Sequence, residues 1–105
     1  MSELDRLADQ HIRESAAQLQ HIDELMAKAK QARARQALAS DQESVLARLE
    51  RQHSEVAQDL RALGGLPKPA TADTVARSEG VKGVLQTIGL ELEKTLAAVI
   101  GGNKG

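Results

Sequence analysis

Glu50 and His53 have the spacing with which a helix can present two ligands to one metal ion. Residues three apart on a helix are neighbours on its surface, so a carboxylate and an imidazole there can project toward the same point. Carboxylate-bridged metal sites in helical bundles combine such a Glu-x-x-His pair with carboxylates from neighbouring helices. The first chemistry that the sequence suggests is therefore metal binding through these two residues.

The context of this pair resembles the end of the second helix in ferritin-like proteins, where a metal-binding helix runs into a Gly-Gly-x-Pro turn. Here the pair is followed by LRALGGLPKP, and the resemblance covers only residues 46–69. It implies that Glu50 and His53 are ligands and assigns no other residue. Because the chain has no second Glu-x-x-His pair, such a site would need ligands from two chains. A ferritin-like metal-binding protein with an intersubunit site is the alternative interpretation.

The favoured interpretation places His53 in an apolar seam between helices. It belongs to a series whose intervals alternate three and four, as at the a and d positions of a heptad: Leu46, Leu49, His53, Val56, Leu60 and Leu63. A polar residue at one such position can specify register and partner number. In an antiparallel hairpin that turns near residue 39, we expect His53 to lie near Met26 or Ile22, with no acid opposite it.

The remaining candidate groups indicate no catalysis. His11 lies on an apolar stripe and is expected near the end of the second helix, whereas His21 is expected to face solvent. Of the first helix's other polar groups, Glu14 and Glu24 lie off its apolar stripe. No serine has a histidine and an acid at a suggestive spacing, and no glycine loop has the phosphate-binding arrangement. We expect no enzymatic activity, no cofactor and no metal site within one chain.

Charge and composition exclude further classes. The 105 residues carry 14 basic and 15 acidic side chains, and there is no aromatic residue and no cysteine. A balanced charge gives no long-range attraction to nucleic acid or anionic membranes. A basic cluster spreads around its helix instead of tracking phosphates, and we read it as a solvated helix end: Lys28, Lys30, Arg33 and Arg35. With no long apolar run and an acidic N-terminus, we expect a cytoplasmic protein that binds neither nucleic acid nor a membrane.

The apolar periodicity predicts three helices in one domain spanning residues 1–105. We expect helix 1 at about 3–38, helix 2 at about 41–63, a Gly/Pro linker at 64–71, helix 3 at about 73–100 and a flexible tail at 101–105. Ser40 and Glu43 match a capping box, which favours a turn near residues 37–41 over one long helix in an extended dimer. Gly64 and Gly65 are expected to end helix 2 in a left-handed cap. Thr71, Asp73 or Ser78 is expected to cap helix 3.

The apolar stripes predict which side chains are buried. The first helix presents Leu4, Ala8, Ile12, Leu19, Ile22, Met26 and Ala29, and the third presents Val81, Val84, Leu85, Ile88, Leu92, Leu96 and Val99. The fold class is therefore all-α: a long antiparallel helical hairpin plus a third amphipathic helix, expected to form an oligomeric helical bundle.

Long seams over a small core favour a homo-oligomer, most simply a dimer. The residues predicted to contact a second copy or another protein are Leu46, Leu49, His53, Val56, Leu60, Leu85, Ile88, Leu92 and Leu96. The leading functional hypothesis is a non-enzymatic helical interaction or scaffold protein that acts through oligomerisation and helix–helix contacts.

Overall fold

The computed structural model describes residues 3–66 and 69–101, and the all-α prediction is confirmed for them. They form three helices, α1 (Glu3–Arg35), α2 (Ser40–Gly64) and α3 (Ala72–Gly101), without any strand. The break at residues 36–39 rules out one long helix through this region. Helix α1 ends three residues earlier than predicted, and the predicted tail beyond Gly101 lies outside the described residues. None of the three helices has the length and apolar content that crossing a membrane requires.

Cross-helix side-chain contacts give the relative directions of the helices. Asp23 on α1 meets His53 on α2, and Arg33 meets Glu50, so these two helices run antiparallel as predicted. His11 on α1 instead meets Ser78 on α3, and residue numbers rise together on both helices along this contact. Helix α3 is therefore parallel to α1 and antiparallel to α2. The three form an elongated bundle measuring 56 × 19 × 17 Å.

The start of α2 differs from the predicted capping box. The residue before the helix is Ala39, whose φ of −62° and ψ of 152° are those of an N-cap. Alanine has no side-chain acceptor, so only the return half of a box exists, in which the Ala39 N–H donates to Gln42 Oε1 at 3.1 Å. Ser40 is already inside the helix, and Glu43 contacts Arg33 at 3.6 Å. The predicted pair is thus displaced from the cap by one residue.

The boundary between α2 and α3 corrects one expectation and confirms another. Gly65 has φ −96° and ψ 2°, so the predicted left-handed cap is wrong. Its N–H bonds to Ala62 O at 3.1 Å, which tightens the last turn instead. Thr71 does cap α3, because the Thr74 N–H donates to Thr71 Oγ1 at 3.2 Å and the Thr71 N–H donates to Thr74 Oγ1 at 3.3 Å.

The core is one cluster to which all three helices contribute. Its buried members are Ile22, Leu25, Met26, Ala29, Leu46, Leu49, Val56, Leu85, Ile88, Leu92 and Leu96. Most of the predicted apolar positions are buried, but Leu25 was missed, and Leu4 and Val84 are 36% and 47% exposed. Helix α3 covers both other helices along the bundle, so the third helix is central to the core and not an addition to a hairpin.

Candidate functional site

The predicted ligands Glu50 and His53 are each occupied by a residue of α1. Glu50 Oε1 accepts a hydrogen bond from Arg33 Nη2 at 2.6 Å. His53 Nε2 lies 2.6 Å from Asp23 Oδ1, and the imidazole is 24% exposed. The expectation that no acid lies opposite His53 is therefore wrong, because Asp23 reaches it from the exposed flank of α1. Arg33, a member of the basic cluster at the end of α1, is exposed and pairs with the acids Glu43 and Glu50 of α2.

These two contacts give Glu50 and His53 different partners on α1. One residue is paired with a cation and the other with a carboxylate, in two different interhelical bridges. Within residues 3–66 and 69–101, no three His, Cys, Asp or Glu side chains are grouped so that they could hold a metal ion. The geometry therefore explains Glu50 and His53 as bridges between α1 and α2.

His11 and Ser78 form a pair that the sequence did not reveal, because 67 residues separate them. His11 Nδ1 lies 3.0 Å from Ser78 Oγ, the arrangement of a nucleophile and its base. However, Ser78 Oγ donates its single proton to Val75 O at 2.7 Å, so His11 Nδ1–H must be the donor in the pair. Ser78 is also 0% exposed, which leaves no approach for a substrate. The pair is an interhelical hydrogen bond between α1 and α3.

Two more polar contacts join α1 to α3. Lys82 Nζ lies 3.0 Å from Glu14 Oε2. The hydrogen bond from Lys82, with a second from Gln10, lowers the pKa of Glu14 below its ordinary value of 4.5. His21 is exposed, as predicted, but its Nε2 lies 3.3 Å from Glu93 Oε1. These contacts and the His11–Ser78 bond fix the register of the parallel pair.

The residues predicted to contact partners lie inside the single chain. Leu46, Leu49, Val56, Leu60, Leu85, Ile88, Leu92 and Leu96 are at most 9% exposed. The chain's own helices cover both seams, so these eight side chains are buried in the single chain, although Val56 and Ile88 also line an open groove on its surface. The reason for their burial is the length of α3, whose 30 residues extend along the hairpin and fill the seam that a second chain was expected to fill. Contact of these eight side chains with a partner stays a prediction.

An open groove lies between α2 and α3 on the outside of the bundle. We call it the α2–α3 groove and define it by Val56 and Asp59 of α2 and by Gly80, Gly83 and Val84 of α3. The two glycines have no side chain to fill it, and no atom lies within 4 Å of a Cβ added at either position. The groove therefore exposes helix backbone and the apolar side chain of Val84.

Charged residues border the groove. Arg77 lies at one end of it and Asp59 also lines it, and neither forms an ion pair with any residue that the structure describes. At the other end Glu91 Oε2 accepts from Arg48 Nη2 at 2.6 Å. An apolar centre with charges at its ends suits a protein partner better than a small apolar ligand.

Sequence reasoning missed this surface because it assigned Val84 to the core stripe. The available signal was the pair of glycines at 80 and 83, since an interior glycine costs a helix about 1 kcal/mol relative to alanine. Outside α3, the basic cluster Lys28, Lys30, Arg33 and Arg35 is exposed, as expected of a solvated helix end.

No protein-family model matches the chain, and neither a curated protein nor a solved structure resembles it significantly, so its fold and this groove are the observations from which its function must be argued.

Proposed function

We propose that this chain is a non-enzymatic helical interaction protein that acts through oligomerisation and helix–helix contacts, with the α2–α3 groove as its contact surface. The observation that carries the proposal is the exposure of apolar side chains of α3 outside its core face, Val84 in the groove and Leu90 elsewhere on the helix. Val84 and Leu90 are 47% and 61% exposed there, although the same helix buries Leu85, Ile88 and Leu92 on its other side. A helix that is apolar beyond its core face is usually covered on both sides.

The contacts within the chain support this proposal indirectly. The polar groups that could do chemistry are engaged in interhelical bridges: Glu50 with Arg33, His53 with Asp23, and Ser78 with His11. Each bridge has a structural role in aligning two helices. What they leave for contact with other molecules is the surface of the bundle, on which the groove is an open concavity that exposes an apolar side chain.

The proposal is tested by the mass of the protein in solution. The chain has no aromatic residue, so its concentration must be followed by refractive index in sedimentation equilibrium. We expect a mass that rises above the 11.2 kDa of one chain in the micromolar range and returns to it in Val84→Glu. Gln86→Glu adds the same charge at an exposed position on α3 outside the groove and should leave the wild-type mass unchanged. A wild-type chain of 11.2 kDa at every concentration would contradict the proposal.

A further inference from the structure

The outer side of α3 contains two glycines that the single chain does not explain. A Cβ at Gly89 would lie 2.9 Å from Gln18 Nε2, so packing against α1 accounts for that glycine. A Cβ at Gly80 or Gly83 would meet nothing within 4 Å. Their cost to the helix is offset by no contact within the chain, whereas glycine on an open face lets another backbone approach closely. Together with exposed Val84 between α2 and α3, they indicate an occupant that lies along the helix.

The charges along α3 indicate what that occupant is. Arg77 lies seven residues before Val84 and Glu91 seven residues after it. Asp73 lies eleven residues before Val84 and Lys94 ten residues after it. Arg77, Glu91 and Asp73 therefore lie within about 20° of Val84 around the helix, and Lys94 lies about 80° away, at the edge of that face. The order is negative, positive, apolar centre, negative, positive.

In a second α3 that runs in the opposite direction, the same order places a positive charge near each negative charge of the first. If a second α3 lies antiparallel with Val84 opposite the partner's Val84, then Arg77 lies opposite the partner's Glu91. Asp73 lies one residue away from the position opposite the partner's Lys94, within reach of that long side chain. A two-fold axis generates each pair twice. A parallel arrangement would instead set like charges against each other, and this opposes association.

The outer face formed by α2 and α3, which contains the groove, is also large enough for such a contact. Over the 25 residues of α2, the two helices present a face about 37 Å long and about 20 Å wide, or roughly 700 Å². A stable protein–protein interface needs about 800 Å² from each partner. The face of α2 and α3 is thus comparable with one half of an ordinary dimer interface.

We infer that a second copy of this chain docks on the α2–α3 groove, with the two α3 helices antiparallel and Val84 at the two-fold axis. The inference rests on the proposed function, to which it adds the partner and its register. The apolar centre and the glycines allow close approach of the two α3 helices. Glu91 accepts a hydrogen bond from Arg48 of its own chain, and the partner's Arg77 adds a second cation beside the same carboxylate. This contact, with Asp73 near the partner's Lys94 at the edge of the interface, selects the antiparallel direction.

Charge reversal and mixing test the register. Asp73→Lys leaves lysines at positions 73 and 94, which repel their counterparts in a like chain, and Lys94→Asp leaves aspartates at both. Neither original side chain has an ion pair within the described residues. Asp73 lies in the first turn of α3, where a lysine is unfavourable to the helix dipole, so circular dichroism first establishes that each variant is folded. We expect each variant alone to dimerise at least tenfold more weakly than wild type. An equimolar mixture should recover the dimer, because every lysine then meets an aspartate.

Cross-linking tests the position of the axis. The chain has no cysteine, so Val84→Cys introduces a single thiol that faces its own counterpart at a two-fold axis. Upon oxidation we expect a disulfide-linked dimer for Val84→Cys and none for Ala27→Cys, a control at an exposed position on α1.

The two inferences can fail separately. A wild-type chain of dimeric mass whose charge variants do not recover on mixing, and whose Val84→Cys does not cross-link, would overturn this register while the proposed function stands. A wild-type chain that stays monomeric would overturn both.

Discussion

Ser15 and Ser78 show how the same side chain acts differently at two buried positions between α1 and α3. Ser78 Oγ donates to Val75 O and accepts from His11, whereas Ser15 Oγ has no hydrogen-bond partner among the described residues, although its residue is only 1% exposed. A buried hydroxyl without a partner lowers stability, whereas one with two partners contributes to it. The two serines should therefore respond in opposite ways to the same substitution.

We expect Ser15→Ala to raise the free energy of unfolding by about 1 kcal/mol and Ser78→Ala to lower it by about 1 kcal/mol. Urea unfolding followed by circular dichroism measures both. Ser54→Ala, at an exposed position on α2, controls for the greater helix propensity of alanine. A loss of stability in Ser15→Ala would show that its hydroxyl has a partner after all.

Glu14 gives the fold a defined response to acid. Its pKa is lowered by the hydrogen bonds from Lys82 and Gln10. A carboxyl whose pKa is lower in the folded than in the unfolded chain stabilises the fold above its ordinary pKa. That contribution is lost as the pH falls below 4.5 and through the folded pKa.

The corresponding measurement compares the urea midpoints of wild type and Glu14→Gln between pH 6 and pH 3. We expect wild type to have the higher midpoint at pH 6, and the difference should shrink as the pH falls below 4.5. Other carboxyl groups titrate alike in both proteins, so the difference isolates Glu14. A difference that stays constant or grows in acid would contradict the assigned role.

At the scale of elements, the start of α2 is its least satisfied end. Ala39 occupies the N-cap with suitable backbone angles but offers no side-chain acceptor to the first N–H groups of the helix, of which the Gln42 N–H donates to Asp41 Oδ1 at 3.1 Å. Ala39→Ser supplies that acceptor and should raise the free energy of unfolding by about 1 kcal/mol. Ser40→Ala should cause no loss, because Ser40 is inside the helix. Calorimetric melting of both variants distinguishes this cap from the one predicted at Ser40, in which Ser40→Ala would be the damaging change.

The helices and their order follow from the sequence because periodicity records which faces are apolar. Thr71 could be predicted as a candidate cap of α3 for a similar reason, because a helical pattern begins directly after this residue. The cap of α2 could not be predicted, because Ser40 and Ala39 are adjacent and Glu43, the partner predicted for Ser40, contacts Arg33 of α1 instead. Periodicity also cannot tell Val84 from Leu85, which are adjacent in sequence yet 47% and 0% exposed. The groove depends on that distinction.

The same limit applies to the histidine contacts. His53 was correctly placed on the side of α2 that faces α1, and the helical spacing was sufficient for that. Its contact with Asp23 depends on the rotation of α1 about its own axis, which spacing along one helix does not determine. The His11–Ser78 bond depends in turn on α3 running parallel to α1. The spacing of residues within each helix does not determine that direction.

At the scale of the whole molecule, α3 holds the bundle together. The core is one cluster that contains residues of all three helices, and α3 supplies Leu85, Ile88, Leu92 and Leu96 to it. If α3 detached from the bundle, the apolar faces of both α1 and α2 would become exposed to water. We therefore expect one cooperative unfolding transition, without an intermediate in which the α1–α2 hairpin persists alone.

Leu92→Ala tests this cooperativity, because Leu92 belongs to α3 and its side chain is 0% exposed. Removing its buried side chain should lower the free energy of unfolding by about 3 kcal/mol. Leu90→Ala makes the same chemical change at a position that is 61% exposed and should alter it by less than about 0.5 kcal/mol. Both are compared in the Val84→Glu background, so that self-association does not contribute. Hydrogen exchange then shows which helices lose protection. In Leu92→Ala, the amides of Ile22 and Met26 on α1 should lose as much protection from exchange as those of α3. If α3 detached independently, the protection of the α1 amides would be unchanged.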